Sequence, residues 1–302
     1  MKKTIAVLAL TLVVFGQAFA QVSTDRAPDS PPVVQGEVSA FDDPPFAYGF
    51  NLQSYSFQAI PDNTFSGVNN LFSYSNSLGL FAGDMGPDGR YFAADYNSAS
   101  LYEVDFSGNT LVYVAPITGI TPGETITGMT YHRPSGTMYF STTSISASTL
   151  YSINLETGVL SPIGQITNCP AAIDLAINEA GRLFTVDILN DNFVEINPAT
   201  GAGTIVGPLG FGANFAQSMD FDDNTGELYW AAYGAAGQIR IIDTSTGGSV
   251  VVAASWPEYG GLSIYSDPEP PAVPIGYLAI LVFVLLTGGF VWWRFRRLGA
   301  RA

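Results

Sequence analysis

The chain of 302 residues holds one histidine, His132, one cysteine, Cys169, and two lysines, both within the first three residues. One cysteine excludes a disulfide framework within the chain, and its expected place is the core, as a small apolar side chain. One histidine excludes a histidine-rich metal site, and a Ser-His-Asp triad would have to recruit His132. That residue stands beside Arg133 and Pro134 in what reads as a surface turn. Positive charge is scarce altogether. Residues 21–269 carry all 26 carboxylates and only five arginines, a net charge of −21. Such a surface repels nucleic-acid phosphates and anionic lipid headgroups; it suits cations, neutral ligands or solubility alone.

Long apolar runs are confined to the two ends. Residues 1–20 start with Lys2-Lys3, continue apolar and close on Ala18-Phe19-Ala20, which reads as a signal peptide cut between Ala20 and Gln21. Its apolar part is shorter than the ~20 residues of a membrane span, which separates it from the other reading, an uncleaved N-terminal anchor. Residues 21–44 are polar and proline-rich, a flexible leader. At the other end, residues 266–274, SDPEPPAVP, form a stiff spacer. No charge occurs from Pro270 to Trp293, roughly 36 Å of helix at 1.5 Å per residue. A transmembrane helix is therefore expected over 275–293, with Trp292 and Trp293 in an aromatic belt. The basic tail 294–302, with Arg294, Arg296, Arg297 and Arg301, fixes that end inside the inner membrane. A buried core helix is the other reading, at odds with four arginines directly behind it.

Between the ends the sequence repeats itself. "DGRYFAAD" (88–95), "SGTMYFST" (135–142), "AGRLFTVD" (180–187) and "TGELYWAA" (225–232) each set a glycine before an apolar run. Those glycines, Gly89, Gly136, Gly181 and Gly226, lie 47, 45 and 45 residues apart. Each run is followed by "LYEVD", "LYSIN", "FVEIN" or "IRIID", then by a further apolar segment, and one more precedes each glycine. Segments of about five residues between turns have the length of strands. Three of the turns, Asn154 to Gly158, Asn197 to Gly201 and Asp243 to Gly247, share the pattern D/N-x-x-T-G. There the Asx oxygen accepts a backbone N–H two residues on, and the glycine takes the positive φ that closes the loop.

A period near 45 with four strands per unit predicts an all-β fold, a five-bladed β-propeller over residues 45–265. Radial stacking buries both faces of each sheet, which explains why MYF, LFTV and LYWAA are continuously apolar rather than alternating. A two-sheet sandwich would not repeat its turn chemistry at a fixed interval. The fifth blade is expected to draw on both ends of the region: Leu262–Ile264 pairing with an N-terminal strand from "FAYGFNL", "SYSFQAI" or "GVNNLFSY", within 46–74. Six blades is the alternative count.

The phrase "GMTYH.PSGTMYF…STLYSINLETG" resembles exported bacterial propellers of the broad YVTN/SMP-30/quinoprotein-like type over about 45–265. That resemblance implies fold and says little about activity. The tail resembles the tripartite C-terminal sorting signals of the PEP-CTERM and IPTL-CTERM class. Pro268-Glu269-Pro270 spells the PEP motif, Val273-Pro274-Ile275 resembles the V/I-P-T-L version, and Arg294, Arg296 and Arg297 match the basic end. Five residues separate the PEP motif from Gly276, where the PEP class has it abut the helix, and the Ser-Glu-Trp that often follows I-P-T-L is absent. The resemblance implies cleavage near 268–276 by a membrane sorting protease, after signal peptidase has acted at the other end. A permanent single-pass anchor is the plain alternative.

Candidate chemistry is thin. Aligned first strands put Asp84, Gly128, Asp174, Ser218 and Gly261 at comparable places, so Asp84 and Asp174 are candidate channel-facing carboxylates. Two carboxylates suffice for glycoside hydrolysis; the structural reading is that each caps a turn or bonds a backbone amide. "DFDDNTGE" offers Asp220, Asp222, Asn224 and Glu227 as a weak calcium loop, with Gly226 one place late and no twelfth-position glutamate. A solvated hairpin is the other reading, and no cofactor is otherwise expected. Trp256 and Tyr259, in "SWPEYGG", are candidates to stack on a sugar or meet a partner, if they are not core. The expected role is non-catalytic: adhesion, display, or binding of a glycan or protein at the cell envelope or surface. The competing reading is an extracytoplasmic carbohydrate-active hydrolase or lactonase working through Asp84 and Asp174.

Overall fold

The structure, a computed structural model, describes residues 44–265. The signal peptide, most of the leader, the spacer, the sorting motif, the membrane helix and the basic tail expected from the sequence lie outside the described residues. Among the described residues no helix is long and apolar enough to cross a membrane.

The chain forms five antiparallel four-stranded sheets. Three strands open it: β1 (Ala47–Asn51), β2 (Ser56–Ile60) and β3 (Asn69–Ser73). Blade I follows, with β4 (Leu80–Met85), β5 (Tyr91–Asp95), β6 (Ser100–Asp105) and β7 (Thr110–Pro116). Blade II holds β8 (Thr125–His132), β9 (Thr137–Thr143), β10 (Ser148–Ile153) and β11 (Leu160–Gln165). Blade III holds β12 (Ala172–Ile177), β13 (Leu183–Asp187), β14 (Asn192–Ile196) and β15 (Gly203–Pro208). Blade IV holds β16 (Ser218–Asp222), β17 (Glu227–Ala232), β18 (Gly237–Ile242) and β19 (Ser249–Trp256). The last strand, β20 (Tyr259–Ile264), pairs with β1 to complete blade V in the order β20-β1-β2-β3. First strands β4, β8, β12, β16 and β20 each lie against the next around a common axis. The architecture is the five-bladed propeller, not the six-bladed alternative. The closure is the expected one, with Ala47 opposite Ile264 and Tyr48 opposite Ser263.

Each gap between blades holds one hydrophobic cluster, and the second strands fill two gaps at once. Tyr91 packs with Phe50 and Phe57 between blades V and I, while its neighbour Phe92 packs with Phe140 and Tyr151 between I and II. Tyr229 joins Tyr259 between IV and V, and Trp230 joins Phe184 and Phe193 between III and IV. Side chains alternate between the two faces of a strand. A sheet buried on both faces therefore needs apolar residues at every position, which is why these runs do not alternate. Cys169 is buried in the gap between blades II and III, as a small apolar side chain.

The repeated turns follow their chemistry. Asn154 Oδ1 accepts the N–H groups of Glu156 and Thr157 at 3.0 and 2.9 Å, and Gly158 closes the loop at φ +68°. The glycine has a second duty. A Cβ on Gly201 would lie 2.8 Å from the carbonyl of Gly164, on the outer strand of the preceding blade. One residue type thus supplies the left-handed turn and lets adjoining blades touch backbone to backbone. Gly226 has a similar φ of +76° and open space around it.

Two expectations follow. Gly226→Ala should lower stability by about 1 kcal/mol through φ alone, and Gly201→Ala by at least about 2–3 kcal/mol because overlap adds to strain; urea unfolding of the two variants checks the order. A chain lacking residues 46–60 should lose its cooperative melting transition, since β20 is then left as a naked edge; unchanged melting would refute the closure.

Candidate functional site

The five first strands approach so closely that small residues line one layer of the axis. A Cβ on Gly128 would lie 2.6 Å from Asp174 Cα, and one on Gly261 would lie 3.1 Å from Gly83 Cα. Gly83, Gly128, Asp174, Ser218 and Gly261 therefore share this layer. Asp84 does not: it pairs with Phe92 as Asp220 on β16 pairs with Tyr229, so it is level with Asp220, two residues past Ser218, and it meets Ser263 on β20. The expected alignment of Asp84 with Asp174 and Ser218 does not hold on β4, because neighbouring small and acidic residues give no anchor for the register.

Every carboxylate at the axis is bonded to the backbone of a neighbouring blade. Asp84 Oδ2 accepts the Tyr131 N–H at 2.7 Å, while its Oδ1 accepts the Ser263 hydroxyl at 2.6 Å and the Met85 N–H at 2.7 Å. Asp220 repeats the device one interface before the closure, its Oδ2 accepting the Ile264 N–H and its Oδ1 the Phe221 N–H. Asp174 Oδ2 accepts the Met219 N–H at 2.7 Å and the Ser218 hydroxyl at 2.9 Å; the Ser218 hydroxyl oxygen in turn accepts the Leu262 N–H. Asp174 Oδ1 is buried without a hydrogen-bond partner.

Burial governs the acidity of all three. It pushes Asp84 up to about 6, against hydrogen bonds from Ser263, Tyr131 and Met85 and the nearby Arg133 charge. It raises Asp174 well above the usual carboxylate range, with Asp84 adding to the effect. It raises Asp220 likewise, with the Asp84 charge next in importance. The Tyr91 hydroxyl, which donates to the Gly261 carbonyl beside the axis, is pushed up by burial and then by these three charges. A small pocket reaches Asp84 and Asp220 between Tyr131, Arg133, Asp223 and Ser263, with room for little more than one water. The arrangement can hold protons; it does not admit a sugar ring.

The other sequence candidates are placed elsewhere. Trp256 and Tyr259 are core, not surface: they are 9% and 0% exposed, and Trp256 packs edge-on against Phe65 at 5.4 Å. Asp220, Asp222, Asn224 and Glu227 do not converge. Asp222 accepts the Asn224 N–H and the Thr225 hydroxyl in an Asx turn, Asp220 faces the axis, and Glu227 accepts the Tyr229 hydroxyl. The loop is a hairpin and does not fit calcium; among the described residues no acidic, histidine or cysteine group is arranged to hold a metal. His132 is 2.7 Å from the Ser135 hydroxyl, and its other ring nitrogen meets the Glu179 carbonyl, so no carboxylate orients it.

No protein-family model and no curated protein matches the sequence. Solved structures do. Regucalcin from Agrobacterium tumefaciens shares 14% identity at a TM-score of 0.45, over 66% of this chain and 67% of that one. Virginiamycin B lyase from Staphylococcus aureus shares 12% at 0.44, over 75% and 72%. Aldose sugar dehydrogenase from Streptomyces coelicolor shares 13% at 0.46, over 66% and 74%. At such identities and scores these likenesses lend this chain neither an activity nor a ligand.

The raised carboxylates carry a pH signature. A buried carboxylate whose pKa rises on folding binds its proton more tightly in the folded state, so its contribution is complete below about pH 4 and is lost as pH climbs through its folded pKa. Melting temperature should therefore rise as pH falls from 7.5 to 5. Asp174→Asn should preserve or raise stability at pH 7.5 and flatten that profile, since only one Asp174 oxygen accepts bonds. Asp84→Asn, which would turn an amide N–H against a backbone N–H, should lower stability by about 2 kcal/mol or more. A melting temperature that falls steadily from pH 7.5 to 5 would contradict this account.

Proposed function

We propose that this chain is a non-catalytic binding propeller, attached to the bacterial envelope or passed to the cell surface through its C-terminal sorting signal. The single observation that carries the reading is the use of the axial carboxylates. Asp84, Asp174 and Asp220 tie neighbouring blades together through backbone amides, and the pocket beside two of them holds about one water. Export is supported by the signal-like N-terminus, and attachment by the apolar stretch and arginine cluster of the tail. The competing reading, a hydrolase or lactonase, draws on the raised pKa of Asp84 and Asp220 near one small pocket. General acid catalysis does use such carboxyls, but the reacting group must reach them at hydrogen-bond distance. The full-length chain, assayed against a panel of lactones and aryl glycosides, should give no turnover above buffer. Turnover that Asp84→Asn or Asp220→Asn removes while the variant still melts cooperatively would overturn the reading.

A further inference from the structure

Five strands form the rim of the propeller, one per blade: β3, β7, β11, β15 and β19. Each is the outer edge of its sheet, with backbone N–H and C=O groups turned to solvent, and an edge left plain is a template for another strand. Four of the five are blunted. β3 is only five residues long. β7 ends on Pro116, β11 has Pro162 within it, and β15 ends on Pro208. Two of these are also covered at their start by the preceding linker. The Leu160 N–H bonds the Thr118 carbonyl at 2.9 Å, and Gly203 gives its N–H to the Thr167 hydroxyl while its carbonyl accepts the Asn168 amide.

β19 is the exception. It is the longest of the five at eight residues, SVVVAASW, with neither proline nor charge. Among the described residues, 250–255 make no hydrogen bond outside the ladder with β18. Val250 is 65% exposed and Val251 49%, so both faces of the strand stand open beside the edge. Bulges at Val252 and Ser255 twist the far half, while residues 249–251 keep plain register with β18. Directly opposite Val251 is Arg240, 8% exposed and stacked over Phe211 at 5.1 Å. Its guanidinium donates to the Ser249 hydroxyl and carbonyl, at 2.8 Å each, and to the Gln238 side chain, all neutral acceptors. Arg90 and Arg182 pair with Glu103 and Glu195, but among the described residues no carboxylate pairs with Arg240. In a region with 26 carboxylates and five arginines, that absence is out of character. A guanidinium buried without a counter-ion is destabilising, and a methionine would cover Phe211 without that penalty.

We infer that β19 takes up a fifth strand: an extended segment of a partner protein, largely uncharged, with one carboxylate that meets Arg240. The inference rests on the non-catalytic binding role proposed above and names the partner's chemistry and its place. Two independent features meet there, an open ladder that can bond backbone and a guanidinium that lacks an acid. In strand addition the main chain supplies affinity and the side chains supply specificity. Arg240 has N–H groups to spare beyond its bonds to Ser249 and Gln238, enough for the charge-assisted pair that Arg90 and Arg182 already make. The acidic body repels anionic partners from a distance, a field that physiological salt screens within about 8 Å. Recognition is therefore short-range, and a single carboxylate on a neutral strand suits it better than an acidic tail.

The test uses the full-length chain in detergent and two blocked octapeptides, acetyl-STVEVTVS-amide and its glutamine twin, acetyl-STVQVTVS-amide. The glutamate peptide should bind about tenfold tighter than its twin or better, and it should slow amide hydrogen exchange at 250–255. Val250→Asp, at an exposed position, should weaken the glutamate peptide by about tenfold with melting unaltered, since it sets like charge on the edge. Arg240→Met should leave the glutamine peptide's affinity as it was and erase the preference for glutamate. Failure of both peptides to bind overturns the inference, and so does equal binding of the two to the unaltered chain. Exchange at 250–255 that slows with protein concentration alone places a second copy on the edge and overturns it as well. Each of those results leaves the binding role to another surface, whereas turnover of a lactone or glycoside in the assay above removes the role itself.

Discussion

A four-stranded sheet of five-residue strands cannot cover its own faces, and everything else in this molecule answers that constraint. Each sheet has two faces and no helix to bury them, so each must be wedged between two others. A row of such sheets would leave two bare faces; a ring leaves none. Closing the ring requires that the last strand and the first three belong to one blade, which couples the stability of every interface to one pairing, β20 with β1. The five apolar clusters, one per gap, are the energetic consequence.

With only five blades the axis is tight, and tightness decides what the carboxylates do. Gly83, Gly128 and Gly261 let backbones meet where any side chain would collide. The first strands still present N–H groups toward one another that sheet pairing cannot satisfy. Asp84, Asp174 and Asp220 reach across and accept them, at the expense of burying charge. Their pKa values rise accordingly, because the cost of buried charge outweighs hydrogen bonds that themselves favour the ionised form. A wider ring would have room for a channel and could spare these side chains for a ligand; here they are part of the wall.

Much of this was legible in the residues. Glycines 45 to 47 apart, continuous apolar runs and the D/N-x-x-T-G turn led to five blades and to the strand that closes them. Those signals are local and repeated, so four copies averaged out the ambiguity of each. What failed was non-repeated. Asp84 aligns with Asp174 in the sequence but not in the ring, because an offset between first strands leaves no trace in composition. Trp256 and Tyr259 fall in what reads as a connecting loop, which leaves surface and core both open, and the closing blade covers both. Tyr55, Tyr96 and Phe215 come from different loops and share no spacing in the sequence; only the ring brings them to one side.

Strand order also decides where the described chain leaves the ring. The first of the described strands, β1, takes the place of a second strand and β20 that of a first, so Phe46 and Tyr265 meet on the face formed by the loops after first and third strands, where the Tyr265 N–H bonds the Phe46 carbonyl. The pairing that closes the ring is therefore also the one that brings the two ends of the described chain side by side. A substitution that weakens β20 against β1 loosens both at once, because no other strand can take the place of either.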